Sequence, residues 1–358
     1  MVALAPDTTR MRPGSSQVKG FLLSGRFIRL LGVGLFVIIL AKLDIAAIVS
    51  MTARAHSAYL LCAVGLFPVF IGLKALRWQY LMKMQGIHYR LKDSLLAYFS
   101  GIYLGVITPG RFGEFLKAVY VSNERKIGLA RSVSSVVFDR LMDLFVLAAV
   151  ACLGMVVFSG SPTLVSLSVL TVSMVMAAAA LAFSHRIGSW LITACDDVLI
   201  SPEMAERVRG HLGDFYEGIR ELRQSQLVVP LLLSLAGIGT FYSLCYIIAV
   251  SLSINISPLY LACCISIASI ASLLPISISG IGIRDLILIG LFGSIGLSAE
   301  TALSFSVTFL LYFTGSSALF GFLAWLIKPL EFRDSYGGSQ VNVRSTCAQN
   351  SAPGESAP

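Results

Sequence analysis

Two short stretches set glycine, proline and opposite charges inside otherwise apolar sequence. The first is Pro109-Gly110-Arg111-Phe112-Gly113-Glu114; the second is Pro275 followed by Gly280-Ile281-Gly282-Ile283-Arg284-Asp285. Glycine lets a backbone approach a ligand closely, a helix that starts after a break offers free N–H groups to an anion, and a guanidinium matches a phosphate. In each stretch the basic and acidic residues precede a short apolar piece and then a glycine, Gly128 or Gly296. The pattern predicts two half-helix N-termini around an anionic head group, with Arg111, Glu114, Lys117, Arg284 and Asp285 as binding residues and Pro109, Gly110, Gly113, Pro275, Gly280 and Gly282 shaping the backbone. A plainer reading has Glu114 capping its half-helix while Arg111 snorkels to the surface.

Arg284 is the most informative single residue, because an arginine deep in a membrane costs about 2.5–3.5 kcal/mol and needs a partner or water. Asp285 beside it points elsewhere on a helix, so Glu114 or Asp143 is the expected partner; the alternative is an arginine snorkelling at the outer interface. Asp139-Arg140-Leu141-Met142-Asp143 puts two carboxylates four residues apart, on one helix face. They are expected at the start of a span, with Asp143 far enough inside the apolar run to reach a cavity and a purely interfacial role as the alternative. Arg77-Trp78-Gln79-Tyr80 has the composition of an interface anchor.

Other chemistry is poorly supported. His56, His88, His185 and His211 are scattered without a metal-binding pairing, and the seven cysteines have neither metal-ligand nor disulfide spacing. No metal and no cofactor is expected. The chain has no Gly-Lys-Ser/Thr phosphate loop, so ATP does not drive it directly. Nothing resembles a nucleic-acid-binding module, so the net charge of +8 is assigned to membrane orientation.

The elements that must position these residues follow from composition. Of the 358 residues 56% are hydrophobic and 13% charged, against about 25% charged in soluble domains. Apolar runs long enough to cross a hydrocarbon core recur along the chain. The predicted class is all-α, a polytopic membrane helical bundle. Spans are expected at 27–50, 58–76, 141–158, 163–183, 227–253 and 301–327. Residues 94–108 and 258–274 are apolar but shorter; each breaks and resumes as a half-helix, at 115–121 and 286–297. The expectation is therefore six spans plus two broken or re-entrant hairpins, or eight spans if both hairpins cross. Residues 1–26 and 331–358 form polar tails, the second expected to be disordered, around a transmembrane domain at 27–330. The longest polar stretches are too short for a soluble catalytic domain, which needs something near 100 residues.

From Pro202 a stripe of Met204, Val208, Leu212, Phe215, Ile219 and Leu222 marks an amphipathic helix within the polar loop 184–226, lying on the interface or the bundle. Lys and Arg concentrate on the cytoplasmic side of membrane proteins. Placing both termini and this loop there puts 24 of the 27 basic residues on one face, leaving Lys42, Arg54 and Arg284. The first hairpin is flanked by basic residues and the second is not, so they should enter from opposite faces, as in an inverted-topology repeat.

The run Thr108 to Lys117, the Asp139–Asp143 motif and the Gly280–Asp285 motif together resemble the lysylphosphatidylglycerol synthase transmembrane family, also called flippase-like integral membrane proteins. The resemblance covers most of residues 27–330. It implies handling or movement of lipid head groups across a cell inner (cytoplasmic) membrane, with membrane lipids as ligands and no nucleic acid. Further partners would be a second copy of the chain or enzymes of envelope-lipid biosynthesis. Only about 30 polar residues follow Lys328, so the soluble aminoacyl-transfer domain of the full-length synthases is not expected. A flippase or transporter is the leading expectation. A membrane-embedded glycosyl- or lipid-transferring enzyme using Asp139, Asp143 or Glu114 is the alternative, with an accessory protein third.

Overall fold

A computed structural model describes residues 50, 53, 55–108, 111–158, 162–183, 202–224, 227–273 and 280–328. The expected first span, both polar tails, Pro109, Gly110 and Pro275 lie outside the described residues. Within them there are ten α-helices and no strand: α1 (Ser57–Met84), α2 (Leu91–Ile107), α3 (Leu116–Arg125), α4 (Leu129–Val157), α5 (Pro162–Phe183), α6 (Pro202–Gln224), α7 (Val228–Ser251), α8 (Pro258–Ala271), α9 (Ile283–Gly293) and α10 (Ala299–Ile327). A 3-10 turn, Phe112–Phe115, leads into α3. The protein is a helical membrane bundle. Helices α1, α7 and α10 are long and apolar enough to cross a bilayer.

One expectation about boundaries is corrected. Helix α4 has 29 residues and starts at Leu129, so Asp139 and Asp143 sit well inside it rather than at the start of a span. Its early turns are polar but not exposed: Ser132, Ser134, Ser135 and Asp139 are all buried. Hydropathy treats such turns as loop, whereas here Ser134 accepts from Gln85, Ser135 accepts from Trp78 and Asp139 pairs with Arg77 and Lys117.

Two four-helix units, α1–α4 and α7–α10, share an order of long helix, short helix, half-helix and long helix. Their turns also match. Helix α1 closes with Gly86 N–H donating to Lys83 O and Ile87 N–H to Met82 O; α7 closes with Ser253 N–H donating to Val250 O and Ile254 N–H to Ala249 O. Both are the double C-terminal closure around a left-handed residue, with φ 74 at Gly86 and 56 at Ser253. In each unit the next helix begins five residues beyond that left-handed residue, at Leu91 and Pro258. The last helices begin three residues after left-handed Lys126 and Gly296, at Leu129 and Ala299.

The packing is reciprocal. The two leading helices, α1 and α7, lie against each other, α2 packs on α10, and its counterpart α8 packs on α4. Phe67 of α1 anchors the centre, stacked on Phe320 at 6.0 Å and edge-on to Phe313 at 5.6 Å.

The hairpins open at opposite ends of the bundle. Lys328, just beyond α10, reaches Asp93 near the start of α2 at 2.9 Å and Glu124 near the end of α3 at 2.7 Å. The second hairpin has its mouth at the other end of α10. There Tyr260 near the start of α8 donates to Leu291 O in α9 at 2.8 Å and stacks edge-on against Phe158 beyond α4. Helix α10, with 29 residues, is roughly 44 Å long at 1.5 Å per residue, so the two mouths are a membrane thickness apart.

The amphipathic helix α6 packs on the bundle. Its Phe215, Ile219 and Leu222 join Leu81 and Phe138 in a small apolar cluster. Gln85 donates to Gly218 O at 3.0 Å, and Arg131 pairs with Glu221 at 2.8 Å.

Candidate functional site

Between the hairpin tips lies a cavity of about 80 Å³ open to water-sized molecules, lined among others by Lys74, Arg111, Arg140, Arg284 and Asp143. One water needs roughly 10–15 Å³ by this measure, so several waters or one compact oxyanion fit. The walls are otherwise apolar, with Phe70 and Phe241 on one side and Phe309 and Phe313 on another; Ser269 and Ser272 add hydroxyls. Four cations thus face one carboxylate in the lining.

The first hairpin is held at its tip by Thr108. Its hydroxyl donates to Leu104 O at 3.1 Å and accepts the Gly113 N–H at 2.7 Å. A side chain on Gly113 would run into the backbone of Leu104 and Gly105, so glycine is required for this close return. Arg111 occupies the left-handed region at φ 56, an unfavourable conformation for a residue with a side chain. Its guanidinium lies 5.2 Å from the Phe313 ring centre. Among the described residues no carboxylate lies within ion-pair distance of Arg111.

Arg284 is placed the same way by the second hairpin, 5.5 Å from the centre of the Phe309 ring. Phe309 and Phe313 are one turn apart on α10 and stack at 5.7 Å, so the two arginines sit over adjacent rings. Gly282 precedes α9 at φ 90, a backbone state that only glycine adopts easily.

The ion pairs differ from those expected. Arg284 pairs with its own neighbour Asp285 at 3.3 Å, and its Nε donates to the Ser306 hydroxyl at 2.8 Å. Asp285 also accepts the Ser306 hydroxyl and the Gly282 N–H. It therefore caps the start of α9 and is not in the cavity lining. Asp285 leaves the helix in a different direction from Arg284, yet the long guanidinium at the first helical turn folds back over the cap to reach it. Glu114 pairs with Arg140, not with Arg284, and is itself almost fully buried.

Asp139 and Asp143 belong to a second network. Arg77 reaches Asp139 at 2.6 Å and Asp143 at 2.7 Å, and it also donates to the Ser234 hydroxyl at 2.8 Å. Lys117 meets Asp139 at 2.8 Å, Lys74 meets Asp143 at 2.7 Å, and the Tyr98 hydroxyl donates to Asp139 at 2.9 Å. Helices α1, α2, α3 and α7 are thereby tied to α4. The interface-anchor reading of Arg77 and Trp78 is corrected: both are buried, and the Trp78 ring N–H donates to Ser135 at 3.0 Å.

Of the residues singled out in sequence, Arg111, Arg284 and Asp143 line the cavity, while Glu114, Lys117, Asp139 and Asp285 hold its scaffold in ion pairs. Lys74 and Arg140 were missed as lining residues. Lys74 sits at the edge of the predicted second span, where a lysine looks interfacial. Taken together, Lys74, Arg77, Arg111, Lys117, Arg140 and Arg284 face Glu114, Asp139, Asp143 and Asp285, an excess of two positive charges. Among the described residues no His, Cys, Asp and Glu group is arranged to hold a metal ion.

Residues 20–321 match the family model described as the lysylphosphatidylglycerol synthase TM region. The chain is also similar to a UPF0104 membrane protein of Pyrococcus horikoshii, 24% identical over 304 residues that cover 78% of this chain and 90% of that one. With the match extending over both hairpins and the cavity between them, the chain belongs to the lysylphosphatidylglycerol synthase TM region family.

Proposed function

We propose that the protein moves a lipid with an anionic or zwitterionic head group between the leaflets of the cell inner membrane, with the head group passing through the cationic cavity. The observation that carries this reading is the cavity's lining, in which, among the described residues, Lys74, Arg111, Arg140 and Arg284 face one carboxylate, Asp143, within apolar walls. Glu114 and Asp285 pair with Arg140 and Arg284 behind the lining, yet six cations against four acids leave two positive charges in excess, and because uncompensated charge at depth is costly the site is suited to a ligand that brings negative charge. The phenyl faces of Phe309 and Phe313 help hold the two hairpin arginines in place; Arg284 shares its charge with Asp285, while Arg111 meets no carboxylate among the described residues.

The matching units α1–α4 and α7–α10, with mouths at opposite ends, fit an inverted-topology repeat. In such an arrangement each hairpin serves one face, and the head group is passed between Arg111 and Arg284 as access alternates. The test is exchange in liposomes. Purified protein reconstituted with chain-labelled phosphatidylglycerol is expected to make inner-leaflet label accessible to an external quencher faster than in protein-free vesicles. No acceleration by folded, reconstituted protein would overturn the reading.

A further inference from the structure

A second cationic site lies outside the central cavity, where α1 ends. A groove of about 440 Å³ is lined by Leu76, Tyr80, Lys83, His88, Arg90 and Arg125, with Gln79 and Tyr89 at its floor. It continues past His88 and Arg125 into a neighbouring hollow of about 380 Å³. Among the described residues neither lining contains a carboxylate. The nearby acids are engaged elsewhere: Asp93 and Glu124 both pair with Lys328, and Glu124 also accepts the Tyr89 hydroxyl. Among the described residues no carboxylate pairs with Lys83, Arg90 or Arg125. The Arg125 guanidinium is instead 5.6 Å from the centre of the Tyr89 ring, which fixes its position while leaving its charge unneutralised.

The approach to this groove is apolar. Val69 and Leu76 are exposed on α1 at a spacing of seven residues, and exposed Lys83 follows seven residues later on the same face. An apolar stripe that ends in three unpaired cations has the polarity of a phospholipid seen lengthwise. A free phosphate would use the cations alone and leave the stripe without a role.

We propose that this groove is a binding site for the phosphate of an anionic phospholipid, with Lys83, Arg90 and Arg125 on the head group and the acyl chains along Leu76 and Val69. The site is separate from the transport cavity and does not depend on the transport reading. The phosphate accepts charge-assisted hydrogen bonds from the lysine and the two guanidinium groups.

The experiment uses the full chain in nanodiscs with a trace phosphatidylglycerol carrying a photoactivatable group near the head, and the crosslinked peptide is mapped. The expected result is labelling within residues 76–90. It should fall roughly fivefold for each cation removed, as expected of basic residues at an anionic lipid surface, in Lys83→Gln and Arg125→Gln. Both side chains are exposed, so these variants should fold, and thermal unfolding at the wild-type temperature in the same nanodiscs checks it. Equal labelling of wild type and the double variant would overturn the site as a specific one. Labelling by a phosphatidylcholine probe at the same strength, or complete displacement of the lipid by millimolar inorganic phosphate, would overturn its assignment to an anionic lipid.

Discussion

Arg77, in the scaffold, and Arg111, in the cavity lining, should respond differently to removal. Arg77 is bound to both Asp139 and Asp143. Removing one partner of a buried pair leaves an uncompensated charge and costs about 3–5 kcal/mol. Arg77→Met is therefore expected to lower unfolding stability in detergent by about that amount. Arg111 has no carboxylate at ion-pair distance among the described residues, so Arg111→Ala should shift stability by less than about 1 kcal/mol. It should still impair head-group exchange. Equal destabilisation by the two would mean that Arg111 is structural. The distinction was not visible in sequence. Arg77 is followed by Trp78 and Tyr80, a composition typical of a membrane interface, while its partners lie 62 and 66 residues away. The reverse held for Arg111 and Arg284, whose glycine-rich surroundings marked them directly.

At the scale of elements, the hairpin breaks were legible because proline, glycine and charge interrupt apolar runs. The beginning of α4 was not, because Ser134, Ser135 and Asp139 there are partnered by Gln85, Trp78, Arg77 and Lys117, which only the fold brings close. The tight return of the first hairpin gives a direct check. Gly113→Ala puts a methyl group into the backbone of α2, and overpacking of this kind costs about 1–3 kcal/mol. Gly239→Ala, on α7, meets no heavy atom within 4 Å and should leave stability equal or higher, since alanine favours a helix by up to about 1 kcal/mol. Thermal unfolding of the two variants in one detergent compares them. A Gly113→Ala protein as stable as Gly239→Ala would show that the hairpin tip is not held against α2.

For the whole molecule, the reciprocal packing of the two units places α6 beside the end of α1 and the mouth of the second hairpin at the opposite end. With basic residues setting orientation, α6 is expected on the cytoplasmic side. In a cysteine-free background, Glu217→Cys should resist a membrane-impermeant maleimide added to intact cells, while Ile295→Cys, at the opposite end, should react. The reverse pattern would invert the topology. What hydropathy could not supply was the charge balance of the interior: the pairing of four acids with five of six cations appears only once α1, α4 and both hairpin tips are assembled.

Transport through the cationic cavity requires that its arginines recognise the head group that crosses. This is tested most directly by comparing chain-labelled phosphatidylglycerol exchange in liposomes by wild type and by Arg111→Ala/Arg284→Ala, matched for folded, reconstituted protein. Loss of two charge-assisted contacts predicts exchange slower by about tenfold or more. Exchange at the wild-type rate by the folded double variant would mean that the head group does not cross by way of these arginines.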